Sequence, residues 1–282
     1  MSLRTISLGL ISNSDSEPAT VVRYALELAG YARAHLSVRL GVPPLSVPTP
    51  GYAVHYGAEQ MLVMLEQEDL DQRKRAEQSA AMIQMEAEKR GATATVEVLS
   101  AANDPFTPHL VQMDRVSDIC IMMAPSHTEP QQRDIVLDML LRSGVPLLLV
   151  PTLWKKQAPP RRAVVAWDGS ASAARAVRDA LPLLARTDSV EVLSVLGEKE
   201  VGREGGSHIA GHLARHCREV VVKVLSVGQS GVAATLQDRA MLTEADVIVI
   251  GGYGHSRLRE FVLGGATRDT LARTDIPTLL SH

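Results

Sequence analysis

The sequence predicts an α/β protein built from two tandem domains, each with an open, mostly parallel sheet of five strands. Short runs of Val, Ile and Leu alternate along the chain with segments of helical periodicity. Several short motifs occur twice, and a length of 282 residues is enough for two hydrophobic cores. These observations together predict a duplicated architecture of alternating strands and helices.

The duplication is visible in three pairs of matching segments, whose separation increases slowly along the chain, as small insertions between two copies would cause. The pairs are Val96–Ser100 with Val222–Ser226, Asp118–Ile121 with Asp246–Val249, and Val145–Leu149 with Ile276–Leu280. Residues 154–160 are rich in Lys and Pro, which is typical of a linker. We therefore expect domains over residues 1–153 and 161–282.

The first half begins with a strand, a helix and a strand, the order that produces a parallel pair with a crossover. Apolar, β-branched runs predict its strands, at Thr5–Ile11, Leu36–Leu40, Thr93–Ser100, Asp118–Met123 and Val145–Val150. Helical spacing predicts its helices, at Glu17–Arg33, Ala58–Arg90, Pro105–Asp114 and Asp134–Arg142. The long second helix is expected to pack on the sheet or on another subunit through Met61, Leu62, Met64, Leu65, Ala76, Ile83 and Ala87.

The second half repeats this order. Its predicted strands are Ala163–Trp167, Val190–Val195, Val220–Leu225, Val247–Ile250 and Ile276–Leu280. Its predicted helices are Ala171–Ala185, His208–Cys217 and Val232–Leu242, and Ala266–Ala272 also has helical composition.

The composition argues against several classes of partner. A formal net charge of -3 and few aromatic residues, 2 Trp, 5 Tyr and 2 Phe, make nucleic acid a poor candidate. No apolar segment approaches ~20 residues, so no membrane span is expected. The first strand is interrupted by small polar residues and is not followed by a cleavage site, unlike a signal peptide. Cys120 and Cys217 show no metal or disulfide spacing, which favours a cytoplasmic protein.

A glycine motif follows the buried strand that ends at Ile250. Gly251 and Gly254 are three residues apart, and Gly264 and Gly265 come after nine further residues, just before a segment of helical composition. Glycines at such a corner allow main-chain N–H groups to approach an anion closely, and a helix N-terminus adds further donors. The alternative is that these glycines form only a turn and a close helix contact.

This pattern, G-x2-G-x9-G between a buried strand and a helix, resembles the C-terminal signature of the universal stress protein family. The resemblance covers nearly the whole chain and implies two tandem domains of Rossmann-like, HUP-type fold that pair through their final strands as a pseudo-dimer. It implies that the glycines wrap the ribose and phosphates of ATP, or of AMP or ADP, with Mg²⁺ as a possible companion. It places the binding residues at Ala166, Asp168, Val195, Gly251, Gly254, Gly264, Gly265 and Thr267.

Two features depart from the nucleotide-binding pattern. Family members commonly carry Ser or Thr where this chain has Gly265, so a hydroxyl donor to phosphate is lost and Thr267 is the nearest replacement. In the first half, Ala124-Pro125-Ser126-His127 is matched to Gly251-Gly252-Tyr253-Gly254, and Pro125 removes a main-chain donor. We therefore predict that the first half does not bind ATP across Ala124–His127. Asp168 also has a structural alternative, which is to cap the helix that follows it.

Catalysis is not expected beyond slow ATP hydrolysis. His255 has no carboxylate or nucleophile at a recognisable spacing. His208, His212 and His216 line one helix face, and without a carboxylate beside them they are expected to be solvated or packed and not to bind metal.

The leading hypothesis is a stress-response or signalling protein in which nucleotide binding biases a homodimer, the pseudo-dimer or an unknown protein partner. The alternative is a dimerisation or interaction scaffold that binds no nucleotide. An ATP-using synthetase is disfavoured, because neither first strand is followed by a Gly-rich, Ser-containing loop and no Walker motif is present.

Overall fold

The computed structural model describes residues 2–11, 19–42, 58–100, 106–125, 130–196, 206–252 and 274–282. These residues form ten strands and seven helices. The strands are β1 (Thr5–Ile11), β2 (His35–Val42), β3 (Ala94–Ser100), β4 (Ile119–Met123), β5 (Leu147–Val150), β6 (Arg162–Ala166), β7 (Ser189–Leu196), β8 (Val220–Ser226), β9 (Val247–Gly251) and β10 (Thr278–Ser281). The helices are α1 (Ala19–Ala32), α2 (Ala58–Lys89), α3 (Phe106–Asp114), α4 (Pro130–Arg142), α5 (Ala171–Leu184), α6 (Ser207–Leu213) and α7 (Gly231–Leu242).

All ten strands belong to one sheet with the order β3-β2-β1-β4-β5-β10-β9-β6-β7-β8. Strands within each half pair in parallel, and the halves meet where β5 pairs antiparallel with β10. Leu148 lies opposite Leu279 in this central ladder, and both side chains are fully buried. The predicted pair of five-stranded parallel α/β units, joined through their final strands, is confirmed.

Helices cover both faces of the sheet, which is why the central strands are apolar on both sides. On one face, helices α1, α2, α5 and α6 pack on every second residue of the strands, including Leu8, Ile121 and Val165. On the other face, α3, α4 and α7 pack on the intervening residues, including Cys120, Met122 and Val164. Each hydrophobic cluster runs through both halves, so the two units share their cores.

The duplication extends to individual hydrogen bonds. Asp118 Oδ2 accepts from the main-chain N–H groups of Arg4, at 2.6 Å, and Thr5, at 2.8 Å. Asp246 Oδ2 accepts in the same way from Arg161, at 2.8 Å, and Arg162, at 2.9 Å. Each carboxylate therefore joins the start of the first strand of its half to the residue that precedes the fourth, which fixes the correspondence between the halves residue by residue.

The segment between the halves is tied to its surroundings. Arg23 Nη2 on α1 donates to the carbonyl of Trp154, at 3.0 Å, and Glu27 Oε2 accepts from Ala158 N, at 2.9 Å. Lys156 Nζ lies 2.8 Å from Asp246 Oδ1. The predicted connection thus contacts α1 of the first half and the start of β9 in the second.

The apolar residues of α2 that were expected to pack on the sheet or on another subunit differ in burial along the helix. Ala76, Ile83 and Ala87 are buried against the sheet, as predicted. Leu62 and Met64 are exposed, and Ala76 is the first fully buried residue among those described in the helix. A helix of 32 residues extends ~48 Å, which is longer than the strands it packs against, so its N-terminal turns extend past the sheet. None of the described helices is both long and apolar enough to span a bilayer.

Candidate functional site at the carboxyl ends of β6, β7 and β9

The turn after β6 is built by its own side chains. Ser170 is the N-cap of α5, and its Oγ accepts from Ala173 N at 3.1 Å. Asp168 Oδ1 accepts from Ser170 N at 2.9 Å and so supports the cap without being the cap. The alternative assignment of Asp168 as the N-cap is therefore wrong by two residues. Asp168 is exposed, and no described residue donates to its second carboxylate oxygen.

Three of the predicted binding residues converge at this corner. Ala166 of β6 is paired with Leu193 of β7. Asp168 and Val195 each follow two residues later, so this register places them opposite each other. Ser194 Oγ donates to the carbonyl of Trp167, at 2.9 Å, and holds the two strand ends together. Ala166 and Val195 are half-buried and pack on the same cluster, on the face that α7 covers. The corner thus presents a small apolar surface beside an exposed carboxylate.

Gly251 lies at the same edge but faces the opposite side of the sheet. A Cβ atom at this position would lie 2.5 Å from Ala173 N and 2.5 Å from the carbonyl carbon of Ser172. Because both atoms belong to the main chain of the first turn of α5, no side chain fits between β9 and α5. The close helix contact, one of the two explanations open from the sequence, is therefore present at Gly251.

The remaining predicted binding residues, Gly254, Gly264, Gly265 and Thr267, lie outside the described residues. Their roles stay predictions. The same is true of His255 and of residues 126 and 127 in the first half.

The first half has different residues at the matching corner. Gly252 N donates to the carbonyl of Ser281, at 2.7 Å, and Ala124 N donates to that of Val150, at 2.9 Å, so Ala124 corresponds to Gly252. The sequence match of Ala124 with Gly251 was therefore off by one residue, because it was made without strand register. By the same register, the first half has Gly9 for Ala166, Ile11 for Asp168, Gly41 for Val195 and Met123 for Gly251.

A buried polar cluster in the first half was missed from the sequence, because its members are distant along the chain. Ser7 Oγ donates to Asp114 Oδ1, at 2.5 Å, and Arg39 forms an ion pair with the same carboxylate. Cys120 Sγ lies 3.3 Å from Asp114 Oδ2. Burial raises the pKa of the Asp114 carboxyl in spite of Arg39 and Ser7, and it raises the pKa of the Cys120 thiol well above its usual range. A thiol that stays protonated is a poor nucleophile.

Of the three histidines predicted to line one helix face, His208 and His212 lie on α6, and His216 follows the end of that helix. His212 and His216 are exposed, and their ring centroids are 5.0 Å apart. The described part of the chain contains no group of three or more His, Cys, Asp or Glu side chains placed to hold a metal ion. Cys120 and Cys217 are both buried free thiols.

The second half of the chain is similar in sequence to a known protein family, and the whole chain is similar in fold to solved structures. Residues 160–282 match the model of the universal stress protein family. None of the curated proteins matches the sequence of the chain. Among solved structures, the fold is similar to that of a universal stress protein from Archaeoglobus fulgidus DSM 4304, with a TM-score of 0.68 and 16% identity over 98% of this chain and 97% of that one.

A functionally unknown protein from Pseudomonas aeruginosa PAO1 also has a similar fold, with a TM-score of 0.56 and 14% identity over 99% of this chain and 92% of that one. At such identities the structural likeness concerns the fold alone. It nevertheless extends over both halves, whereas the family match covers the half that contains the Asp168 corner. Residues 160–282 thus match the universal stress protein family in sequence, and the whole chain shares its duplicated fold with these two solved proteins.

Proposed function

We propose that the C-terminal half binds ATP, or AMP or ADP, at the carboxyl ends of β6, β7 and β9, and that the protein acts in a cytoplasmic stress response or signalling process. Open parallel sheets bind ligands beyond the carboxyl ends of their strands. Free, buried cysteines agree with a reducing compartment. The proposed domains are residues 1–153 and 161–282.

The observation that carries this proposal is the exposed carboxylate of Asp168 beside the apolar surface of Ala166 and Val195. Adenine has an apolar ring and an exocyclic amino group that needs an acceptor. Ser170 N donates to Asp168 Oδ1, and this hydrogen bond orients the carboxylate. Oδ2 is left to accept a hydrogen bond from the ligand. The residues therefore fit the base of an adenine nucleotide.

In this proposal the phosphates lie against the main chain at Gly254, Gly264 and Gly265, with Thr267 as a hydroxyl donor and Mg²⁺ as their counter-ion. The nucleotide acts as a switch for a protein partner, and hydrolysis is slow or absent. The first half binds no nucleotide, because Ile11 replaces the carboxylate of Asp168.

A second candidate, an interaction scaffold without nucleotide, is favoured by one observation. The contact between Gly251 and α5 accounts for this glycine without any ligand, so Gly251 alone is not evidence of phosphate binding.

The two candidates are distinguished by calorimetric titration of the full-length protein with Mg-ATP, ADP and AMP. We expect saturation near one site per chain. Asp168→Ala removes the acceptor for the adenine amino group and should weaken binding about 5- to 150-fold, since an unpaired polar group on a bound ligand costs about 1–3 kcal/mol.

Asp188→Ala is the matched control. Asp188 is an exposed carboxylate just before β7, at the amino end of the sheet. This variant should bind as the wild-type protein does. If no adenine nucleotide produces heat or stabilises the folded protein, nucleotide binding is refuted and the scaffold is left.

A further inference from the structure

Strand β8 is at one end of the strand order and so forms one of the two outer edges of the sheet. Its sequence, VVVKVLS, is almost entirely β-branched or aliphatic. Val221, Val222 and Val224 are 47%, 38% and 46% exposed, although valines in the central strands are fully buried. A long, apolar edge strand readily pairs with another strand, so natural proteins either block it or use it.

The main-chain hydrogen bonds of β8 define which groups point outward. Val190 N donates to the carbonyl of Glu219, and Val227 N donates to the carbonyl of Leu196, so odd-numbered residues direct their N–H and C=O groups toward β7. Because the direction alternates along a strand, Val220, Val222 and Val224 direct theirs away from the sheet. Within the described residues, β7 is the strand that pairs with β8.

The charges at this edge are self-complementary. Lys223 is the one charged residue within β8, and Glu219 immediately precedes the strand. The two are four residues apart, so they project from the same face. Both are exposed, and in the described part of the chain neither belongs to an ion pair. The nearby Glu191 is already held by Arg239, with contacts of 2.8 and 2.6 Å.

We propose that β8 pairs antiparallel with β8 of a second copy of this chain, with Val221 opposite itself at the two-fold axis. In this register Val220 lies opposite Val222 of the second copy, and both direct their main-chain groups at the partner. Glu219 then lies opposite Lys223 of the second copy, twice by symmetry. This is a pair without main-chain hydrogen bonds, the kind in which opposing side chains are closest.

Lys223 selects this arrangement among the alternatives. A lysine in an edge strand usually opposes pairing, and with Lys223 at the axis two ammonium groups would face each other. In the register centred on Val221, each Lys223 instead faces Glu219 of the other copy, which gives two attractive pairs and a closed dimer. The final-strand pairing of β5 with β10 is already made within the chain, so this dimer needs a different surface. At the opposite edge, β3 carries exposed Thr95 and Glu97 and lacks such a self-complementary pair.

Analytical ultracentrifugation between about 5 and 500 μM, without nucleotide, tests the proposal. We expect the wild-type mass to rise with concentration toward twice the 30.4 kDa of one chain. Glu219→Lys and Lys223→Glu each replace two attractive cross-strand pairs by repulsive ones, so each should raise the dimer Kd at least tenfold. The double variant Glu219→Lys/Lys223→Glu restores both attractions and should return the Kd to within about threefold of wild type.

Glu97→Lys, the same reversal on the opposite edge strand, is the matched control and should leave the Kd unchanged. Circular dichroism checks that every variant is folded. A protein that stays monomeric over the whole range overturns the proposal and makes Lys223 a blocking charge. The proposal is also overturned if neither single charge reversal raises the dimer Kd, or if the double variant does not return the Kd toward that of wild type.

Discussion

Gly251 ends β9 against the main chain of α5, and the contact leaves no room for a methyl group. Gly251→Ala must therefore push the first turn of α5 away from the sheet. We expect it to lower the free energy of unfolding by about 1–3 kcal/mol, the usual cost of overpacking. Urea denaturation of the ligand-free protein measures this change in the free energy of unfolding. A variant as stable as wild type would show that α5 moves away from Gly251 at no cost in stability.

Gly30→Ala is the control for this substitution. Gly30 lies near the end of α1, is exposed, and has no atom within 4 Å of the added methyl group. Alanine in a helix is preferred over glycine, so the variant should be more stable by about 0.5–1 kcal/mol. The same chemical change thus has opposite signs at the two positions.

The contrast between these glycines shows what could be predicted at the residue scale. The position of Gly251 after a buried strand was visible in the sequence, and so was the choice between a ligand role and a helix contact. Which helix turn approaches it depends on how α5 packs across β9, and no local pattern encodes that. The cluster of Ser7, Arg39 and Asp114 was missed for the same reason.

At the scale of elements, the start of α5 separates the two roles that the sequence left open for Asp168. Ser170 supplies the cap, so Ser170→Ala should cost about 1 kcal/mol of stability. In Asp168→Asn the side-chain oxygen still accepts from Ser170 N, so stability should change by less than about 0.5 kcal/mol. Thermal unfolding of the two variants measures both. The reverse order of stabilities would make Asp168 chiefly a structural residue.

Most elements were predictable because apolar runs and helical spacing are local properties. The bounds of β1, β6 and β9 differ from their predictions by at most one residue at either end. The sequence left open which apolar residues of α2 pack on the sheet and which on another subunit, since both surfaces have the same composition. Composition does not encode how far a helix extends past its sheet.

At the scale of the whole molecule, the two halves are joined by more than the β5–β10 ladder. The Arg186 guanidinium, just after α5, lies 5.1 Å from the ring centroid of Tyr31 on α1. Leu140 of α4 lies 3.7 Å from the position of a Cβ atom on Gly252. Both hydrophobic clusters contain residues of each half. The duplication was visible in the sequence, but a shared core was not, because it depends on residues of both copies that face each other across the joint.

A shared core predicts that the halves unfold together. Leu279 is fully buried at the joint, and Leu279→Ala should cost about 2–5 kcal/mol through lost burial and a residual cavity. Leu153→Ala, at a leucine 86% exposed just after β5, should change stability by less than about 0.5 kcal/mol. Because the joint belongs to both units, Leu279→Ala should move one common transition, with tryptophan fluorescence and far-ultraviolet circular dichroism coinciding. Two separate transitions, of which Leu279→Ala lowers only one, would mean that the halves are independent in stability in spite of their continuous sheet.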